Sequence, residues 1–286
     1  MKDGSVIPRL SNPRNNDAPP GCDLPLGPLV RGRRSRRAVF RPFRGEARLR
    51  LLDMNLQQPR ESALSQALAH CVQKLGGLEN PSAEEIHLLC LSDRHALVRA
   101  LLVARGGKMV SVTAECQGCG SVLELSLDIA ALKLPRMPAS GEVTLSRREA
   151  GRAVRCRLRL PCANDLDRAT SEASLVGLCL GLSAEAAEPW LAVAEQILSR
   201  CDPLGHITVA GCCPDCGATV STELDLIAKW LASLKNDSAA LVGEIHVLAS
   251  RYHWTEKDIL ELPDARRHLY LDLCWGSETE PFEWPA

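Results

Sequence analysis

Two short cysteine-containing segments carry residue types and a spacing that could bind a metal ion. Cys116 and Cys119 bracket Gln-Gly, Cys213 and Cys216 bracket Pro-Asp, and a glycine follows each pair. Zinc in structural sites takes four ligands in a tetrahedron, and a C-x-x-C pair on a tight turn supplies two thiolates. The glycine suits a turn conformation that other residues resist. The sequence therefore predicts that the two halves bind one Zn2+ together, with four ligands: Cys116, Cys119, Cys213 and Cys216.

The segments around the two cysteine pairs also match each other. When Cys116 is aligned with Cys213, apolar positions coincide on both sides, and an aspartate ends each copy, Asp128 in the first and Asp225 in the second. Alternating apolar residues predict a strand entering each turn and a strand leaving it. Each aspartate could cap a following helix. We therefore expect duplicated helix–strand–C-x-x-C-G–strand–helix units, joined by a zinc-ribbon-like four-cysteine site.

The distance between the two pairs leaves other interpretations open. In ordinary zinc ribbons the second pair follows the first by about 15 to 20 residues, whereas 93 residues lie between Cys119 and Cys213. Loop-closure entropy grows by only about 0.6 kcal/mol per doubling, so a folded insertion of this length is tolerable. Independent redox dithiols are disfavoured because each pair lies between strands rather than before a helix. The remaining alternatives are a metal-free site and separate sites that recruit Cys212 or His206.

Length and composition limit the protein class. The chain has 286 residues, 45% of them hydrophobic, which suffices for one large core or two small ones. No secretory leader pattern follows the first residues, and no apolar run is long enough to span a bilayer. The thirteen cysteines are therefore expected in a reducing, cytoplasmic setting, away from membranes. Those outside the two pairs are interpreted as packing residues, since free cysteine is usually a small buried hydrophobe.

Charge is distributed unevenly along the chain. Residues 1–60 carry a net charge of +8, whereas the whole chain has a net charge of −1. Residues 1–30 are rich in proline, glycine and asparagine, and arginine-rich runs follow at residues 31–37 and 41–44. A segment of this composition buries too little apolar surface to offset the conformational entropy that it would lose on folding. We predict a basic arm over residues 1–60 that is disordered in large part. Two roles are open for this arm: it docks on an acidic surface or on phosphates, or it is a solvated tail without a binding function.

The rest of the chain is predicted to form helices around the strand pairs, so the expected fold class is α+β with additional helices. Ser82 and Glu85 form a capping-box pattern ahead of an apolar helix. Arginine alternates with apolar residues over residues 154–160, which is typical of a half-buried hairpin. One helix is expected to follow Pro161 and run through Leu175. The C-terminal helices are expected to carry an apolar stripe of Leu241, Ile245, Leu248 and Tyr252. The expected organisation is a first repeat at residues 61–135, a hairpin-and-helix insert at 136–182, a second repeat at 183–236 and a C-terminal helical segment at 237–286.

Sequence patterns for catalysis are weak. The chain has no Walker loop, no G-x-S-x-G, no H-E-x-x-H and no dinucleotide-binding glycine pattern. Histidines in helical stretches lack partners at metal-ligand spacing; they are His87, His95, His246 and His253. A zinc ion held by four thiolates has no open position for water or substrate. We therefore expect a protein that is not an enzyme and has no catalytic residues.

The order of several short motifs adds a family resemblance. The motifs are residues 93–102, the first C-x-x-C-G segment, residues 158–166, the second C-x-x-C-G segment and residues 244–259. In this order they resemble the T4-type baseplate hub assembly chaperones, whose homologues occur in tailed phages and in phage-tail-like contractile injection systems. The resemblance covers residues 80–275 and leaves the basic arm outside. It implies a non-enzymatic assembly factor whose partners are baseplate hub or spike-proximal proteins.

A zinc-ribbon nucleic-acid-binding protein is the alternative function. A zinc ribbon and a basic arm favour it. The acidic remainder of the chain, the long separation of the cysteine pairs and the small number of aromatic residues disfavour it, because few rings are available for stacking on bases. Nucleic acid is therefore not expected as a partner.

Overall fold

The computed structural model describes residues 21–42, 45–52, 54, 58–149 and 151–276, and these form an α+β fold. The strands are β1 (Gly21–Asp23), β2 (Leu29–Val30), β3 (Arg33–Arg34), β4 (Arg37–Phe40), β5 (Val72–Leu75), β6 (Leu78–Glu79), β7 (Met109–Glu115), β8 (Val122–Asp128), β9 (Glu142–Glu149), β10 (Arg152–Arg159), β11 (Ile207–Cys212) and β12 (Thr219–Leu224).

The helices are α1 (Gly45–Leu52), α2 (Arg60–Cys71), α3 (Ala83–His87), α4 (Leu91–Gly106), α5 (Ala163–Arg168), α6 (Glu172–Leu180), α7 (Ala184–Ala187), α8 (Leu191–Cys201), α9 (Leu226–Tyr252), α10 (Glu256–Glu261) and α11 (Asp264–Gly276), with a 3-10 turn (Glu188–Trp190) between α7 and α8. The α3 helix begins with the predicted capping box, in which Ser82 and Glu85 exchange hydrogen bonds.

The largest hydrophobic core joins elements that are distant in sequence. A four-stranded antiparallel sheet has the order β1-β4-β5-β6. Its buried side chains pack with those of α2, α4, the two cysteine-bearing hairpins and the first half of α9, where Trp230 is fully buried. Both predicted repeats therefore contribute to one continuous core. The zinc-ligand candidates lie at the ends of hairpins that are anchored in this core.

Residues 21–42 do not form the disordered arm that the sequence predicted. β1 pairs with β4, β4 pairs with β5, and Ala38 and Phe40 are buried in the core. The carboxylate of Asp93 accepts hydrogen bonds from the N–H groups of Leu26 and Gly27, each at 2.8 Å. The prediction was wrong here because composition does not reveal pairing with a strand that lies about thirty residues further along the chain. Residues 1–20 of the predicted arm lie outside the described residues.

The first cysteine hairpin is not followed by the predicted helix. Asp128 Oδ1 accepts a hydrogen bond from the N–H of Ala130 at 2.9 Å and closes a turn instead. Pro135 and Pro138 come next, and proline removes a backbone donor and keeps the preceding residue extended. The second copy does continue into the long α9 helix, which Asp225 caps. The two units thus share the hairpin but differ in the segment on its C-terminal side.

The insert between the two cysteine hairpins has a small core of its own. β9 and β10 pair antiparallel, with Cys156 opposite Leu145, so the predicted hairpin is confirmed. Its apolar face packs on α6, α7 and α8 around Leu158 and Trp190. The single helix predicted after Pro161 is two helices, α5 and α6, because residues 169–171 leave the helical conformation before Ser171 caps α6.

The C-terminal helices form a third packed unit. The far half of α9 packs with α10 and α11 around Leu248, Ile259 and Leu271. Arg267 of α11 is fully buried and donates to Glu244 Oε2 at 2.7 Å. The apolar stripe predicted for this region therefore packs inside the chain.

No single helix in the described part of the chain is long and apolar enough to cross a bilayer. The segments Glu172–Leu180 and Ala184–Cys201 meet the length and composition criteria only together, as a pair bent by 87°.

Candidate metal centre

The first cysteine pair lies on the turn that connects β7 to β8. Cys116 N–H donates to the carbonyl of Ser121 at 2.8 Å, and Gly120 N–H donates back to the carbonyl of Cys116 at 2.8 Å. Gly120 has a φ of 75°, a conformation that a side chain resists. These bonds fold the backbone into a tight knuckle and hold both sulfurs on the same side of the turn.

The second pair lies on the same kind of knuckle between β11 and β12. Cys213 N–H donates to the carbonyl of Ala218 at 2.8 Å, and Gly217 N–H donates to the carbonyl of Cys213 at 2.9 Å. Gly217 has a φ of 73°. The backbone pattern repeats that of the first knuckle residue by residue, as expected from the matching C-x-x-C-G sequences.

Packing between the two hairpins brings the knuckles together. β7 lies against β12 and β8 lies against β11. Gly211 allows this approach, because a Cβ at that position would lie 2.7 Å from Leu125 Cδ2. Lys229 Nζ, at the start of α9, donates to the carbonyl of Ser111 at 2.6 Å and ties the second unit to β7. The metal-site geometry is therefore set by the hairpin scaffold.

All four predicted ligands meet at one point. The Sγ atoms of Cys116 and Cys216 lie 3.6 Å apart, as do those of Cys119 and Cys213, and all four sulfurs lie within 4.8 Å of one another. Four sulfurs at about 2.3 Å from a central ion are separated by about 3.8 Å. The cluster therefore has the size of a tetrahedral thiolate site that could hold one metal ion.

The cluster has an apolar side and a solvent side. Cys116 and Cys213, the first cysteine of each pair, are buried against Leu123 and Val220, whereas Cys119 and Cys216 are exposed. Each short sulfur contact joins a buried cysteine of one hairpin to an exposed cysteine of the other. A metal ion held here bridges the two hairpins through both pairs.

The pKa values of the two exposed thiols, Cys119 and Cys216, are shifted in opposite directions. Hydrogen bonds with the side chain and backbone of Ser121 lower the pKa of Cys119 to about 6, and contacts with Cys213 and Cys216 add to this effect. At Cys216, the backbone hydrogen bond from Ala218 lowers the pKa, but sulfur contacts with Cys116 and Cys119 outweigh it and raise the pKa to about 12. Cys119 therefore forms the thiolate more readily than Cys216, and the thiolate is the form that binds metal.

The alternative ligands considered from the sequence do not join the cluster. Cys212 is exposed at the end of β11, and the four-cysteine group does not include it. His206 lines a different cleft, near the hydrogen bond of 2.7 Å between His95 Nδ1 and Asp202 Oδ2. Within the described residues, this is the sole group of three or more His, Cys, Asp or Glu side chains with metal-site geometry.

Sequence reasoning missed a buried polar network beside the core. Arg94 is 1% exposed and donates to the Ser65 hydroxyl at 2.8 Å and to the Glu61 carboxylate at 2.9 Å. The same hydroxyl lies 2.9 Å from His87 Nδ1, and His87 Nε2 lies 2.8 Å from Asp167 Oδ2. Ser65 is only 2% exposed, so this chain of contacts ties α2, α3 and α5 together. No local spacing pattern connects these residues in the sequence.

Comparisons with known proteins leave the site as the main basis for a functional assignment. Family models, curated proteins and solved structures give no match to this chain.

Proposed function

We propose that Cys116, Cys119, Cys213 and Cys216 bind one structural Zn2+. The observation that carries the proposal is the closed group of four sulfurs at tetrahedral spacing, contributed equally by two hairpins. Zinc is the first choice among common metals because it has no redox chemistry and favours four thiolates in a tetrahedron. The matching knuckles support the finer proposal that the two units arose as duplicated zinc-ribbon halves.

A four-thiolate zinc clamp favours a non-enzymatic function. Four protein ligands leave no coordination position for water or substrate, whereas catalytic zinc sites keep one open. The ion then serves to fix the relative position of two sequence-distant hairpins. A cytoplasmic location belongs to the same proposal, because the ligands must remain reduced thiols.

The biological role proposed for this scaffold is assembly of a baseplate or central hub in a phage tail or contractile injection system. The order of the short motifs across residues 80–275 supports it. A second support is the exposed apolar surface of α11, where Leu269 and Leu273, four residues apart, are 63% and 47% exposed. Apolar side chains that face solvent on one helix are typical of helical docking elements. The partners in this proposal are hub or spike-proximal proteins, with no membrane.

The experiment that tests the assembly role is deletion of the gene in its native host, followed by electron microscopy of the tails or injection particles. We expect sheath and tube proteins to be made while correctly formed baseplates are absent. Complementation with wild-type protein should restore baseplates, whereas Leu269→Glu/Leu273→Glu should not. Normal, active particles from the deletion strain would refute the role.

A nucleic-acid-binding function remains the alternative because of one basic surface. Arg148, Arg155 and Arg157 are exposed on the same face of the β9–β10 hairpin, opposite the face that packs on the insert core. Binding dominated by phosphate contacts weakens steeply with salt. A salt titration with labelled DNA and RNA duplexes would therefore identify this function by a steep loss of affinity, and Arg155→Glu/Arg157→Glu should then reduce binding.

A further inference from the structure

The cleft between β1, α4 and residues 130–136 is strongly basic. It has a volume of about 810 Å3 and is lined by four arginines, Arg36, Arg37, Arg99 and Arg136, against one carboxylate, Asp23. The whole chain, by contrast, has a net charge of −1. A concave surface lined by one sign of charge concentrates the field and attracts ligands of opposite sign.

The arginines of this cleft are only partly engaged by the chain itself. Arg36 Nη2 donates to the carbonyl of Met137, but its Nη1 is buried without a hydrogen-bond partner in the described residues. Arg99 donates from Nη1 to the carbonyl of Leu132. Arg37 forms a loose pair with Asp23, at 3.7 Å and on the surface. The guanidinium groups of Arg37 and Arg136 are exposed. Carboxylates of an acidic ligand can form charge-assisted hydrogen bonds with them.

The edge strand that lines the cleft favours an extended chain as the ligand over a compact ion. β1 is the outer strand of the four-stranded sheet, and Gly21, Cys22 and Asp23 of this strand line the cleft. The outward backbone groups of an edge strand can pair with an added strand. Leu134 and Pro135 precede Arg136 directly in the lining of the cleft and add an apolar surface beside it.

We propose that this cleft binds an extended acidic segment of a protein partner, with carboxylates on the arginines and apolar side chains against Leu134 and Pro135. The backbone of the segment adds to the outer edge of β1, a strand that pairs only with β4 within the described residues. This assignment does not depend on the zinc site or on the baseplate role, and its failure leaves both unaffected.

The test is selection from a random dodecapeptide display library on the full chain. We expect the enriched peptides to contain several Asp or Glu residues interspersed with apolar residues. A labelled peptide from this pool should bind in fluorescence anisotropy, and Arg37→Glu/Arg136→Glu should weaken its affinity at least tenfold. The matched control is Arg152→Glu/Arg168→Glu, which makes the same charge change at two exposed arginines outside the cleft and should leave binding unchanged.

Three outcomes would overturn the proposal. The first is enrichment of peptides without acidic residues, and the second is equal binding of the selected peptide by the wild type and the Arg37→Glu/Arg136→Glu variant. The third is binding of inorganic phosphate, citrate or a single-stranded oligonucleotide that is as tight as binding of the selected peptide and is weakened by Arg37→Glu/Arg136→Glu. That result would assign the cleft to another class of anion. Circular dichroism of both double variants checks that they fold, which is expected because all four arginines in them are exposed.

Discussion

The Sγ atoms of Cys116 and Cys216 lie 3.6 Å apart although 100 residues separate them in the chain. Neither hairpin alone holds more than two thiolates, so a metal ion at this point is bound by the tertiary fold as a whole. Metal binding is then linked to folding, because the unfolded chain has no preformed site.

Loss of one zinc ligand should destabilise both hairpins. We expect Cys116→Ser to lower the free energy of unfolding by about 3 kcal/mol, since the metal contribution to folding is lost. Hydrogen exchange should accelerate in β11 and β12 as well as in β7 and β8. The matched control is Cys212→Ser, which changes an exposed cysteine next to the site and should stay within about 0.5 kcal/mol of wild type. Loss of protection confined to the mutated hairpin would contradict a shared ion.

The buried Arg94 should depend strongly on its carboxylate partner. Glu61→Ala leaves an uncompensated guanidinium that is 1% exposed, and breaking a buried pair in this way typically costs about 3–5 kcal/mol. Adding Arg94→Met to Glu61→Ala should recover a large part of the loss, because the buried charge is then gone. Urea denaturation of the two variants measures both effects. A Glu61→Ala variant as stable as wild type would contradict this dependence, because the other hydrogen bonds of Arg94 would then suffice to stabilise its buried charge.

Asp93 should be the anchor of residues 21–42. It is fully buried, and both of its carboxylate oxygens accept backbone N–H groups, those of Leu26 and Gly27. Asp93→Ala leaves two buried donors without partners, at about 1–3 kcal/mol each. We expect lower stability and faster hydrogen exchange over β1–β4. Asp23→Ala, at an exposed carboxylate of the same region, serves as control and should have little effect.

The contrast between residues 21–42 and the cysteine knuckles shows which features the sequence can reveal. A C-x-x-C-G knuckle is a local structure, since Gly120 and Gly217 take the required φ and the turn hydrogen bonds stay within the knuckle itself. Their meeting point could be predicted from metal chemistry, which demands four ligands. The β9–β10 hairpin was predictable for a similar reason, because alternation along a strand is local.

The features that the sequence did not reveal depend on distant partners. Composition alone predicted disorder for residues 21–42, yet β4 pairs with β5, and Asp93 in α4 binds the backbone of Leu26 and Gly27. The network from Arg94 through Ser65 and His87 to Asp167 likewise spans four helices without a spacing pattern. The absence of a helix after Asp128 could have been predicted from Pro135 and Pro138. The alignment with the second copy favoured a helix there instead, because Asp225 at the matching position does cap one.

The Arg159–Asp165 pair should protect the insert against acid. Burial alone would raise the pKa of Asp165, but hydrogen bonds from Arg159 and the N–H of Cys162 outweigh it and hold the pKa at about 2. Because the folded pKa is lower than the unfolded one, the stabilisation is complete above about pH 4 and is lost as the pH falls toward 2. The pair stabilises the folded state by about 1–2 kcal/mol, a value reduced for solvent screening because the Arg159 side chain is 46% exposed.

The measurement for this pair is the free energy of unfolding of wild type and Asp165→Asn between pH 2 and pH 7. The variant should be less stable at pH 7, and the difference should shrink only below about pH 4. A difference that is already lost between pH 6 and pH 4 would contradict the low pKa of Asp165.

Whether one zinc ion joins the two knuckles can be decided by metal analysis together with X-ray absorption at the zinc edge on the purified chain. We expect one zinc per chain, a shell of four sulfurs at about 2.3 Å, and loss of the ion in Cys116→Ser and in Cys216→Ser but not in Cys212→Ser. Protein that stays free of zinc after expression in zinc-supplemented medium, or a shell with nitrogen or oxygen in place of sulfur, would contradict a shared four-thiolate zinc.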